Sequence, residues 1–192
     1  MSRRDDILAA ARVHFGEKGF DATTMRAIAG SAHVDVALVS YHFGSKDRLF
    51  AATMNLSVSP VDLVAGVFGE GLDGAGQRLV ATFLDAWEDA SMGPALLSMF
   101  RSATSNDQAS AAFGQFVSHG ILRRYRAAID RPEAERRAVL AATQMVGLAL
   151  LRYVLKVEPL ASMPREQVVA DVGPLVQRLL TGELDPEVGV LA

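Results

Sequence analysis

Four histidines, twenty-two carboxylates and nineteen Lys or Arg side chains stand in this 192-residue chain beside no cysteine at all. That removes thiol nucleophiles, Cys-ligated zinc, iron–sulfur clusters and disulfide scaffolds in one step, and it is compatible with a reducing compartment, the cytoplasm. The spacings other chemistry needs are missing as well. There is no His-Glu-x-x-His pair to hold zinc on one helix face, no Gly-x-Ser-x-Gly elbow to expose a nucleophile, and no Gly-rich loop ahead of a helix to cradle phosphate. His33 and Asp35 resemble a metal pair, but both fall in a turn with no third ligand nearby in sequence. The sequence therefore predicts no enzyme: no catalytic residue, no metal and no cofactor. The chemistry left is recognition. From Thr24 to His42 the order is helix, tight turn, helix, with Ile28, Ala29, Val39 and Phe43 facing inward and Val34 in the turn. In such a unit the first helix braces the DNA backbone while the second lays its N-terminal half against base edges in the major groove.

The elements that must position this unit read as helices throughout. Ile7, Leu8, Ala11 and Phe15, then Met25, Ile28 and Ala29, then Leu49, Phe50, Met54 and Leu56 recur mostly at threes and fours. The one clear apolar–polar alternation, Leu56 to Ser59, is cut off by Pro60. The expected class is all-α. A three-helix DNA-binding domain is expected over residues 1–48, a helical ligand-binding and dimerisation domain over 49–182, and a flexible tail over 183–192. Gly16 and Gly19 close the first helix, Thr23 or Thr24 caps the second and Asp35 the third; Gly44-Ser45 then opens a fourth over about 46–57. The glycines between Gly66 and Gly76 mark a loose connection, and longer helices follow over about 77–91, 94–105, 107–129, 133–157 and 164–181.

Charge and hydropathy narrow the partners. The net charge is −3, yet residues 1–48 hold seven Lys or Arg against six Asp or Glu, so the negative excess lies in the remainder. The longest apolar segment, 138–151, is fenced by Arg136, Arg137 and Arg152 and falls short of the roughly 20 residues a membrane span requires. The apolar run before Arg12 is too short and too charged for a secretory signal. No membrane partner is expected.

The residues themselves resemble a family. Ile7-Leu8-Ala9-Ala10-Ala11, Phe15, Gly19-Phe20, Ala22-Thr23-Thr24, Ile28-Ala29 and Tyr41-His42-Phe43-Gly44-Ser45-Lys46, followed by Leu49, are similar to the N-terminal domain of TetR-family transcriptional regulators. The resemblance covers residues 1 to about 56, and a divergent helical ligand-binding and dimerisation domain is what it implies for the rest. It further implies that Tyr41, His42 and Lys46 grip phosphates, with Thr24 doing so from the second helix's N-terminus. Arg26 is the candidate base reader, because an Arg fork suits guanine O6 and N7. Three positions depart from the pattern: His33 replaces a turn Gly, Val36 a polar residue opening the reading helix, and Ser40 a common Tyr. Val36, Ala37 and Leu38 then offer apolar contact, most naturally to thymine methyl groups.

In the later helices Phe83, Trp87, Met92, Met99, Phe100, Phe113, Phe116 and Met145 suit either a plain core or the lining of an apolar effector site. Polar residues embedded among them, His119 and Gln144, are candidate anchors for such a ligand. Residues 145–151 are apolar on every side and the last helix carries Val172, Val176 and Leu179, so Leu151, Val154, Val172, Val176 and Leu179 are expected at a homodimer seam. The expected function is a ligand-responsive regulator, a repressor, binding a palindromic double-stranded operator as a homodimer and released by a small, mostly apolar effector. The alternative is a helical small-molecule-binding or scaffolding protein without operator binding.

Overall fold

The described part of the computed structural model comprises residues 2–105 and 107–184, without the side chains of residues 104, 105, 108, 109, 112, 113, 116, 119 and 120. Its elements are α1 (Arg3–Ala22), α2 (Met25–Ser31), α3 (Val36–Phe43), α4 (Lys46–Thr53), α5 (Pro60–Phe68), α6 (Ala75–Glu88), α7 (Met92–Ser105) and α8 (Asp107–Phe116). A π-helical stretch, Val117–Leu122, leads into α9 (Arg123–Ala128); α10 (Ala134–Leu148) runs into a second, Ala149–Val154; α11 (Arg165–Thr181) closes the chain. No strand occurs among the described residues. The tail expected over 183–192 falls, from residue 185 on, outside them.

Local chemistry sets the early boundaries. Ser2 and Asp5 form a reciprocal capping box that starts α1, so Arg3 and Arg4 sit in a helical turn. The helix runs straight past Gly16 and breaks only at Gly19, whose φ of 76° and ψ of 178° suit a residue without Cβ. Thr24, Asp35 and Ser45 each accept a backbone N–H and cap α2, α3 and α4.

The fourth helix is shorter than its apolar spacing suggests. It ends at Thr53, where Asn55 takes a positive φ of 60° and Arg12 donates from Nε to the Thr53 carbonyl at 3.3 Å. Helix α5 is entered through Pro60, whose fixed φ suits a first turn, and the connection marked by the glycines is the turn segment 69–74 between α5 and α6, where Gly71 and Gly74 take positive φ.

Two cores result. Ile7, Phe15, Phe20, Ile28, Val39 and Phe50 fill the first, with Phe50 edge-on to Phe15 and Phe20 at ring distances of 4.9 and 5.2 Å. Leu49, Phe50 and Val61 belong to it, so packing joins α4 to the first three helices beyond the expected division at residue 48. Leu79, Leu84, Ala141, Met145, Val168, Val176 and Leu180 fill the second. There α6 crosses α11 so closely that a Cβ on Gly76 would run into the Gly173 carbonyl and the Gln177 backbone. Gln177 fastens the crossing, accepting from Gly76 N at 2.8 Å and donating to Leu72 O at 3.0 Å. The buried Arg137 is spent on structure: its guanidinium donates to Leu179 O and Gly182 O and so caps α11.

Candidate nucleic-acid interface

Helices α2 and α3 meet at the turn 32–35. Ala32 N–H closes on Ile28 O at 2.9 Å and Val34 N–H on Ala29 O at 3.0 Å. Between them His33 adopts φ 52°, the left-handed conformation that costs a β-carbon-bearing residue about 1 to 2 kcal/mol, at the position where the family pattern has Gly. The backbone of the turn is kept although the residue is not.

Val39 and Phe43 pin α3 to the core and leave its other side free. Val36, Ala37, Ser40 and Tyr41 are exposed, Tyr41 by 83%, while Leu38 and His42 are half-buried. On α2, Thr24 and Arg26 are exposed beside them. Thr24 Oγ1 accepts from Ala27 N at 3.1 Å, which leaves its hydroxyl proton available to a phosphate. The surface holds donors at its edges (Thr24, Arg26, Tyr41, His42) and apolar or small groups at its centre (Val36, Ala37, Leu38, Ser40). Such an arrangement can position on phosphates and read base edges chiefly by shape and methyl contact.

Lys46 turns inward in the free chain. Its ammonium donates to Phe20 O at 2.8 Å, Thr23 O at 3.1 Å and Asp21 O at 3.4 Å, and lies 4.3 Å from the centre of the Phe20 ring. Its three donors thus face the broken end of α1. Burial holds its pKa below the usual lysine value, with Arg123 adding to that and Asp21 and Asp47 opposing it. Arg4, by contrast, lies 5.3 Å from the Phe43 ring, and Arg48 pairs with Asp62 at 2.7 Å; with Tyr41 and His42 they line a groove of about 540 Å³ beside the C-terminus of α3.

The candidate effector residues separate. Trp87 lies face to face with Tyr153, ring centres 5.0 Å apart and planes 8° off parallel, and Phe83 and Phe100 flank it at 6.0 and 6.5 Å. Tyr153 donates its hydroxyl to Glu88 Oε1 at 2.9 Å, and Arg152 reaches the same oxygen at 3.3 Å. Arg152 and Tyr153 escaped sequence reasoning because the apolar run beside them suggested a seam, and Glu88 because it ends α6, 64 residues away in sequence. Gln144 is not in this group: it lines a shallow hollow with Leu175, Arg178 and Leu179 on the α10–α11 surface. The side chains of Phe113, Phe116 and His119 lie outside those described.

Of the expected seam residues, Leu151 is 41% exposed, and Val154, Val172 and Leu179 are half-buried. Val176 is corrected: it is fully buried in its own second core, because α11 turns that side toward α6. Val139, Val146 and Leu175, 44%, 52% and 56% exposed, present the outward apolar face instead.

Residues 7–53 match the family model of bacterial regulatory proteins of the tetR family, and residues 73–180 match that of the tetracyclin repressor-like C-terminal domain. This chain belongs to the TetR family of transcriptional regulators. Over 93% of its length it is 37% identical to a TetR-family regulator of Streptomyces coelicolor, covering 94% of that chain with a TM-score of 0.54. It is 45% identical over 49 residues, 26% of this chain, to the HTH-type transcriptional dual regulator CecR of Shigella flexneri. It is also 29% identical over 82 residues, 35% of this chain, to the transcriptional repressor KstR2 of Mycolicibacterium smegmatis. The matched segments span 22% and 40% of the lengths of those two relatives. These are regulators, not enzymes.

Proposed function

We propose that this TetR-family regulator is a homodimeric repressor that holds a palindromic operator through α2 and α3 and lets go when a small, mostly apolar effector binds the large domain. The observation that carries the reading is the outward side of α3, where Val36, Ala37, Ser40 and Tyr41 are exposed while Val39 and Phe43 are buried. Repression is inferred from the likeness, over 35% of this chain, to the transcriptional repressor KstR2. An operator-binding protein works where the chromosome is, in the cytoplasm. The apolar run Ala134–Val154, with a mean hydropathy of 1.2, packs in this reading between α11 and a second subunit rather than in a bilayer.

The effector region is assigned to the aromatic group around Phe83 and Trp87, with Glu88 and Arg152 as polar anchors. The test is selection of duplexes from a random-sequence pool by the full chain, followed by binding titrations across salt concentrations. The enriched sequence is expected to be palindromic, with half-sites about one helical turn, roughly 34 to 36 Å, apart. Arg26→Ala should cost about 1 to 3 kcal/mol and relax choice at one base position, whereas His42→Ala should weaken all sequences about equally. A chain that enriches no duplex defeats the reading.

A further inference from the structure

Where α1 breaks, the reading head is touched by the large domain. Gln115, in the last turn of α8, accepts the amide N–H of Asp21 on its Oε1 at 3.2 Å. The same oxygen would stand 2.5 Å from a Cβ built on Gly19, so the side chain occupies the space that this glycine, at φ 76°, leaves open. Further bonds of this segment come from within the head. Thr23 Oγ1 donates to Gly19 O and His14 O, and Lys46 holds the carbonyls of Phe20, Asp21 and Thr23. Three residues after Asp21 comes Thr24, the cap of α2, and two further on Arg26. Any displacement of the Asp21 amide is therefore passed along a short, tightly bonded stretch to the start of α2.

Behind Gln115 the helix changes its winding. The π-helical stretch Val117–Leu122 begins two residues on, and its Ile121 packs against both cores. A π turn holds one residue more than an α turn and is a common place for functional rearrangement. A change of winding there would move Gln115 relative to the head.

We propose that Gln115 is a positioning residue for operator binding: it fixes the broken end of α1, and through it α2, in the arrangement that fits DNA, and couples both to the π-helical stretch. This rests on the operator reading above. The experiment uses the full chain, a duplex enriched by the wild type, and a non-specific duplex of equal length. Gln115→Leu should weaken the selected duplex about threefold to tenfold, the size of one net hydrogen bond. Non-specific binding and the melting temperature should stay put, and the Asp21 amide should exchange its hydrogen faster. Gln115→Glu keeps the acceptor and should stay within about twofold of wild type. In a double-mutant cycle, Gly19→Ala should cost less operator affinity in a Gln115→Ala background, where its Cβ meets no amide oxygen. A wild-type chain that selects no duplex overturns the operator reading and the positioning role with it. A wild-type chain that does select, beside a Gln115→Leu variant of equal affinity or an additive cycle, overturns the positioning role alone.

Discussion

The Lys46 ammonium has two ways to matter, and they have opposite signatures. As a phosphate contact it would be thermodynamically idle in the free protein. Removing it would flatten the dependence of log affinity on log salt by about one unit. As the group that satisfies Phe20 O and Thr23 O at the end of α1, it contributes to folding, since hydrogen bonds to a charged donor are worth about 1.5 to 3 kcal/mol. Lys46→Met keeps the stem over the Phe20 ring and drops the donors. It should lower unfolding stability by about 1 to 3 kcal/mol in urea titrations and leave the salt slope near that of wild type. A slope reduced by a full unit with unchanged stability would return Lys46 to the phosphates. The local string Tyr41 to Lys46 showed a family pattern but could not show which way the lysine leans, because Phe20 lies 26 residues away. Asp35 and Ser45 were legible, and Thr24 as one of two adjacent threonines, because capping is a rule of two or three residues.

Elements were legible in type, and misjudged where the helical period alone had to place an end or a face. Leu49, Phe50, Met54 and Leu56 keep helical spacing across the end of α4, so only the positive φ at Asn55 and the Arg12 contact mark the break. The stretch Ala149–Val154 winds as a π helix, so a 3.6-residue period does not give its sides, and nothing in the spacing put Tyr153 on Trp87. That stack makes its own pH prediction. Burial pushes the Tyr153 hydroxyl up to about 12, and its bond to Glu88 reinforces the shift. A pKa raised in the folded state contributes stability that is intact below the unfolded value near 10 and is lost as pH climbs toward 12. The protein has one tryptophan. Its emission should therefore hold steady past pH 10 and be quenched only as Tyr153 deprotonates. Tyr153→Phe should abolish that late quenching step; its persistence would separate Trp87 from Tyr153 in solution.

At the scale of the whole molecule the question is what covers Val139 and Val146 on α10 and Leu175 on α11. A face apolar at these positions on two neighbouring helices suits a two-fold seam, where each residue meets the other helix of the partner and the contact closes on itself. The sequence marked both helices but chose Val176, since which side of an apolar helix looks outward depends on what the chain packs against it; here α6 takes the Val176 side. Two substitutions separate the possibilities. Val176→Glu buries a charge in the second core and should unfold the large domain, as an unpaired interior carboxylate costs several kcal/mol. Val146→Glu with Leu175→Glu should keep the fold, shown by unchanged helical circular dichroism, and shift sedimentation from dimer to monomer at micromolar concentration. The DNA consequence is a matter of linkage. Two heads joined by the seam bind the second half-site at an effective concentration, an advantage of about 10²-fold or more that separate monomers lose. The double variant should accordingly bind a full palindrome at least about a hundredfold more weakly than wild type, while a single half-site is bound with unchanged affinity. A wild-type chain that sediments as a monomer, or a double variant that remains a dimer, would place the seam elsewhere.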